Sequence, residues 1–422
     1  MRIMNRPLWD SLFALYGIHI CNYIVPLLTV PYLTHVLGVA EWGALAYAEA
    51  YCRYLILVIE FGFQLSATRA IARIRNDSTA CGAQISAVLG AQALLAIGAL
   101  LFTCLLIAFV PIFRAQRAVI LIAFLWAVGQ SLSPIWFFQG LERVRLMAAL
   151  NIGANIAALA ATFFLVRTHG DGWIAMALRA GLSLVATVIG IAIAHRITPF
   201  GMPSPSQVWQ ALSESSSLFL MRSGVSMYTT ANVLILGLVA RPAVVGWFAA
   251  AEKISRAAAA GTTPMSQAFY PRISHLLGAD PRHAAATVRL SALIGISLGM
   301  LTSCVLFFGA QSIVTHLLGP GFRETIPVLR ILAPLPFVIS ITNVVGIQWM
   351  LPLRLDKEFT RFILAGGVLN IALSVVLAPR AGAPGSAVSL LIVEIVIMAL
   401  PILFLRFRKL DPWRSDPVRE AA

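Results

Sequence analysis

Gly43-Ala-Leu-Ala-Tyr-Ala-Glu-Ala-Tyr-Cys-Arg53 and Gly246-Trp-Phe-Ala-Ala-Ala-Glu-Lys-Ile-Ser-Arg256 share the pattern Gly-x-x-Ala-x-Ala-Glu-x-x-x-Arg. They lie 203 residues apart in a chain of 422, an offset close to half its length. Carried on without a gap, the same offset sets Gln64 on Gln267 and Arg69 on Arg272. Matches of Ala and Gly alone would mean little between two Ala-rich helices. Glu on Glu, Arg on Arg and Gln on Gln are harder to obtain by chance, so the chain reads as an internal duplication.

The composition around these two stretches places them in a membrane. Apolar residues make up 59% of the chain, charged residues only 11%, and the mean hydropathy is +0.86. That is too little charge to cover a soluble surface of this size, and the opposite of what disorder needs. With about 20 apolar residues to a span, about twelve spans are expected, at approximately 10–34, 43–68, 82–110, 117–138, 146–166, 173–194, 214–239, 243–268, 288–308, 328–350, 362–379 and 385–405. The first run is too long for a signal peptide and lacks a small-residue cleavage site, so it reads as a span. Short connections leave no room for an inserted catalytic domain.

The longest polar break, His195 to Ser213, carries Pro199, Pro203 and Pro205. It divides the chain into an N-terminal bundle, 1–198, and a C-terminal bundle with a short tail, 199–422. Each has six spans, and each places its Glu-x-x-x-Arg on the second. Such halves share one orientation and form parallel repeats about a pseudo-twofold axis along the membrane normal, a transporter pattern. The expected fold is an all-α polytopic membrane protein of two six-helix bundles.

The net charge of +14 looks out of place in so apolar a chain. A solvated basic face for nucleic acid is not expected, because the cations are scattered between apolar runs. With the N-terminus inside, cytoplasmic segments hold nineteen Lys and Arg, while the opposite side holds six: Arg114, Arg117, Arg167, Arg241, Arg323 and Arg380. Both termini are therefore expected in the cytoplasm.

Six cations remain within the spans: Arg53, Arg179, Arg222, Lys253, Arg256 and Arg330. Each costs about 2.5–3.5 kcal/mol at a helix centre, so such groups face a cavity or a partner rather than lipid. Glu49 and Arg53, and Glu252 and Arg256, are spaced to pair on one helix face. Read blandly, each pair only ties helices together; read functionally, it lines a cavity. For Arg179 and Arg330 the bland alternative is snorkelling to the interface. The acids Glu49, Glu60, Glu252 and Glu394 leave a local excess of two positive charges, which favours an anionic substrate. Glu60 and Glu394 are also candidate proton sites. Asn22, Gln64, Gln267, Thr229 and Asn232 are candidate polar contacts, with His19 and Thr29 in a proline-bent first span. Most Trp residues sit near span ends, as an aromatic belt would. Gly295-x-x-x-Gly299 fits close helix packing.

The five cysteines form no Cys-x-x-Cys pair, the seven histidines show no metal spacing, and no Gly-x-x-x-x-Gly-Lys-Ser/Thr or His-Glu-x-x-His is present. No catalytic residue, metal or cofactor is expected.

Three segments carry a family resemblance: Asn22-Tyr-Ile-Val-Pro-Leu-Leu-Thr-Val-Pro-Tyr-Leu33, running into Val36-Leu-Gly38; Phe61-Gly-Phe-Gln-Leu-Ser-Ala-Thr-Arg69; and Pro134-Ile-Trp-Phe-Phe-Gln-Gly-Leu-Glu142. Together they resemble the Wzx-type polysaccharide (O-antigen) flippases, with weaker echoes at Tyr270-Pro-Arg272, Leu318-Gly319 and Leu329-Arg-Ile-Leu332. His35 departs from the family, which often has a basic residue there. The resemblance implies the superfamily of multidrug exporters and lipid II flippases, two six-helix bundles arranged in a V, and alternating access. It also implies an undecaprenyl-pyrophosphate-linked oligosaccharide as cargo and a cationic central cavity.

The expected function is an inner-membrane flippase, not an enzyme, serving surface polysaccharide (O-antigen, lipopolysaccharide or exopolysaccharide) assembly. Arg53, Arg222, Lys253 and Arg256 are expected to hold the anionic head group, with Glu49, Glu60, Glu252, Asn22, Gln64 and Gln267 as secondary candidates. Expected partners are the lipid-linked oligosaccharide and the bilayer, then a polysaccharide polymerase and a chain-length regulator; nucleic acid is not expected. The alternatives are a multidrug/cation antiporter, which would want an acidic cavity, and a membrane-embedded glycosyltransferase or polymerase, which would want convergent carboxylates and a larger outward loop.

Overall fold

The computed structural model describes residues 6–413, with the side chains of 6–27, 144, 221–222, 224–228, 263–264, 267–268 and 320 outside the description. Helices dominate, and no strand occurs among the described residues. A membrane explains why: inside lipid every backbone N–H and C=O needs a partner within its own segment. The helices are α1 Arg6–Glu60, α2 Phe63–Ile74, α3 Ser78–Phe109, α4 Pro111–Ala115, α5 Arg117–Ser131, α6 Ile135–Gly140, α7 Val144–Leu165, α8 Gly172–Ile197, α9 Pro205–Val239, α10 Pro242–Ala260, α11 Thr263–Ala279, α12 Pro281–Leu317, α13 Thr325–Leu332, α14 Leu335–Thr342 and α15 Asp356–Phe407. A π-helix, Asn343–Met350, follows α14 directly.

Each expected span has its helix. The first two lie in α1, which breaks at Gly38 (φ 72°, ψ 174°), and the last two in α15, which breaks at Gly382 (φ 57°, ψ −131°). Between them, spans three to nine fall in α3, α5 with α6, α7, α8, α9, α10 and α12, and the tenth in α13, α14 and the π-helix. Eight stretches among the described residues are long and apolar enough to cross a membrane. Pro242–Ala260 is not one of them, because it carries Glu252, Lys253 and Arg256 within nineteen residues. The outward faces are apolar, as at Leu101, Phe109, Leu293 and Phe308, which suits lipid contact.

The second and eighth spans end earlier than expected. The second stops at Glu60, where Phe61 (φ 45°) and Gly62 (φ 80°) turn the chain into α2. At Gly62 a side chain would also press on Leu218 and Phe219, so glycine is required twice over. The eighth stops at Ala260, before α11. Gln64 and Gln267 thus lie on the following helices, not on the spans.

The chain forms two compact units, Met1–Ser226 and Met227–Ala422. In the first, Trp136, Phe137 and Phe138 of α6 join Phe63, Ile71, Ile85 and Met147 in one buried cluster. Polar bonds register the neighbouring helices: Gln92 Nε2 donates to Ser131 O at 2.7 Å, Thr187 Oγ1 to Gly129 O at 2.6 Å, and the Tyr51 and Thr103 hydroxyls meet at 2.8 Å. The linker and the start of α9 pack on this unit. Phe61 stacks on Phe219 at 4.4 Å, and the Ser66 and Ser215 hydroxyls lie 2.7 Å apart.

In the second unit, α12 crosses α14 at Gly299, where a Cβ would sit 2.8 Å from Pro336 O and 2.6 Å from Ser340 Oγ. The neighbouring Ser303 Oγ accepts from Phe337 N at 3.1 Å, near the start of α14 where backbone donors lack helical partners. Gln348, within the π-helix, accepts from Ser291 at 2.6 Å and donates to Ser266 at 3.1 Å. Both units use an aspartate to start a long unbroken helix. Asp77 accepts from Thr79 N and Ala80 N ahead of α3, and Asp280 from Arg282 N and His283 N ahead of α12. These two caps are also 203 residues apart, a further match in the repeat.

Candidate functional site

The repeated motif occupies the same place in each unit. Glu49 stands in the middle of the 39–60 stretch, about 15 Å from either end at 1.5 Å per residue. Helix geometry sets Arg53 one turn on: its Nη2 donates to Glu49 Oε1 at 3.1 Å. In the second unit Arg256 Nε donates to Glu252 Oε1 at 2.8 Å. Both carboxylates are buried, at 7% exposure, beneath small neighbours such as Ala46, Ala48, Ala249 and Ala251.

Each pair gains a further contact across the bundle. In the first unit Arg179 Nη1, from α8, lies 3.6 Å from Glu49 Oε2, and its guanidinium carbon is 5.7 Å from the Trp126 ring centroid. In the second, Arg256 Nη2 donates to Thr229 O at 3.3 Å, and the buried Glu394 of α15 lies close enough to feel the charges of Arg256 and Glu252. Arg179 is therefore held within its bundle rather than snorkelling, a role its sequence position did not reveal. The arginine side chains keep open sides, with 59% exposure at Arg53 and 30% at Arg256. A guanidinium is costly to expose to lipid, so these arginines call for water or an anionic partner.

The remaining candidates separate. Lys253 follows Glu252 on α10 and is half-buried. Glu60 is half-buried as the last residue of α1. Gln64 Nε2 donates to Gln139 Oε1 at 3.2 Å, joining α2 to α6. Thr229 serves through its carbonyl, as the acceptor for Arg256. Asn232 corrects an expectation: it is 1% exposed, and its Oδ1 accepts from Ser374 at 2.6 Å in a buried chain that continues to Ser389. It therefore faces other helices rather than a sugar. Arg222, Asn22 and Gln267 lie outside the described side chains. No group of three or more His, Cys, Asp or Glu able to hold a metal occurs among the described residues.

Two helical units with long apolar helices, each carrying a paired Glu and Arg at mid-helix, define a polytopic membrane protein. Residues 8–277 match the family described as polysaccharide biosynthesis protein, and the chain belongs to that family. A protein of Escherichia coli strain K12 assigned as an O-antigen transporter is 34% identical over 392 residues, covering 92% of this chain and 94% of the relative. A second, from Shigella dysenteriae, is 27% identical over 394 residues, covering 92% and 97%. Among solved structures, the lipid II flippase MurJ in an inward closed conformation aligns with a TM-score of 0.71 at 13% identity, covering 94% of this chain and 87% of that one. An inward-facing multidrug resistance MATE family transporter of the MOP superfamily aligns at 0.66 and 16% identity, covering 92% and 98%. At such identities these two likenesses speak to the fold alone.

Proposed function

We propose that the protein is a flippase, not an enzyme, that moves a lipid-linked oligosaccharide repeat unit across the bacterial inner membrane for surface polysaccharide assembly. The observation that carries this reading is the open-sided Glu–Arg pair at mid-helix in both units of a chain whose curated relatives are assigned to O-antigen transport. Arg53, Lys253 and Arg256, with Arg222, hold the pyrophosphate, which presents negative charge and strong acceptors that suit guanidinium forks. Glu49 and Glu252 orient the arginines and moderate their charge. The polyprenyl tail stays in lipid while the bundles 1–198 and 199–422 alternate access around the head group. Both termini face the cytoplasm, and a polymerase and a chain-length regulator take up the delivered unit.

Replacing Arg53, Lys253 and Arg256 singly by Ala tests the site in cells that need this protein for surface glycan. At matched protein level, at least a tenfold drop in glycan is expected for Arg53→Ala and Arg256→Ala, from loss of charge-assisted bonds worth roughly 1.5–3 kcal/mol each. Normal glycan in all three variants would sink the assignment. Drug resistance on overexpression, with glycan unaffected by deletion, would instead favour a drug exporter.

A further inference from the structure

Glu49 divides its two oxygens between two guanidinium groups. Oε1 accepts from Arg53 at 3.1 Å, and Oε2 lies 3.6 Å from Arg179. Arg53 comes from the same helix, Arg179 from α8, and Trp126 of α5 lies against the Arg179 guanidinium. Three helices of one unit thus converge on a cluster of two cations and one acid. In the second unit the corresponding sixth span contributes an acid, Glu394, in place of that cation. Two arginines also carry more N–H donors than one carboxylate can accept.

We infer that Arg53 and Arg179, spaced by Glu49, form a two-guanidinium site that reads the second phosphoryl group of the lipid carrier, with Arg179 setting selectivity for a diphosphate over a monophosphate. This rests on the flippase reading. A diphosphate offers acceptors on two linked phosphorus atoms and more charge than a monophosphate ester. One guanidinium suffices for a single phosphoryl group, whereas a neighbouring pair bridges two. Glu49 holds the pair side by side against its own repulsion and leaves the three groups with one net positive charge. Arg179, with 21% exposure against 59% for Arg53, is the more fixed member, as a selectivity group should be.

The test uses the full-length protein in lipid nanodiscs and measures affinity for a polyprenyl diphosphate and for the monophosphate of the same chain length. The wild type is expected to prefer the diphosphate. Arg179→Ala is expected to weaken diphosphate binding roughly tenfold and change monophosphate binding by no more than about twofold, since one charged hydrogen bond is lost. Arg179→Lys, which keeps the charge without the fork, is expected to restore part of the preference. Retained monophosphate binding reports that the variant is folded. An unchanged preference in Arg179→Ala, whether both affinities fall or neither does, overturns the inference and leaves the flippase reading standing. A wild type that binds neither lipid overturns both.

Discussion

Glu49 and Glu252 are buried to the same degree, and each lies one turn before an arginine. Their worth follows from magnitudes. An arginine at mid-span costs about 2.5–3.5 kcal/mol, while an i,i+4 pair returns only about 0.2–0.5 kcal/mol in an isolated helix in water. Further partners must make up the difference, and Arg179 and the Thr229 carbonyl are such partners. Outside the spans, Asp280 shows how charge acts where water is present. Its carboxyl is held below the usual carboxylate range, first by the hydrogen bond with the His283 side chain, then by the backbone N–H groups of His283 and Arg282. A lowered value in the folded state means that this stabilisation is present above the unfolded value of about 3.9 and is lost as the pH falls through the lower folded value. The melting temperature of Asp280→Ala is therefore expected to lie below wild type at pH 7, with the gap closing below about pH 4. A gap that persists at pH 2–3 would rule out the carboxylate as its source.

Helix ends and crossings decide where each side chain stands. The chain stays apolar through Phe61-Gly-Phe-Gln-Leu-Ser-Ala67, so periodicity alone carried the second span to 68; the positive φ at Phe61 and Gly62 ends it at 60. Apolar counting cannot see a reversal made of apolar residues. The Gly295-x-x-x-Gly299 pair was legible as a packing motif, but its two members differ. A methyl at Gly299 meets the Pro336 carbonyl and Ser340, whereas one at Gly295 meets only the flexible end of Met265. Gly299→Ala is expected to destabilise by about 1–3 kcal/mol through overpacking, seen as a lower melting temperature in detergent. Gly295→Ala is expected to stay close to wild type, because Met265 can move and Ala favours helix. Equal melting of the two variants would contradict the crossing at Gly299.

Across the whole molecule, charge has two separate uses. Nineteen cations against six predict cytoplasmic termini, and a handful within the spans form the clusters. The topology is open to direct measurement in a cysteine-free background. Ser204→Cys, in the linker between α8 and α9, is expected to react with an impermeant maleimide only from the cytoplasmic side. Thr168→Cys, between α7 and α8, is expected to react only from the other side. The reverse pattern, or labelling of both from one face, would overturn the orientation.

Hydrophobicity, the cation distribution and the 203-residue repeat were sufficient to read an all-α membrane protein with about twelve spans, duplicated halves and paired Glu–Arg motifs on matching helices. These are properties of composition and spacing, and they survive translation into structure because a helix places residues four apart on one face. What the sequence could not supply were contacts between helices distant along the chain. That Arg179 shares Glu49 with Arg53, that Asn232 is buried against Ser374, and that Glu394 approaches Arg256 depend on how helices more than 100 residues apart rotate and pack. No local spacing encodes that rotation; side-chain packing sets it.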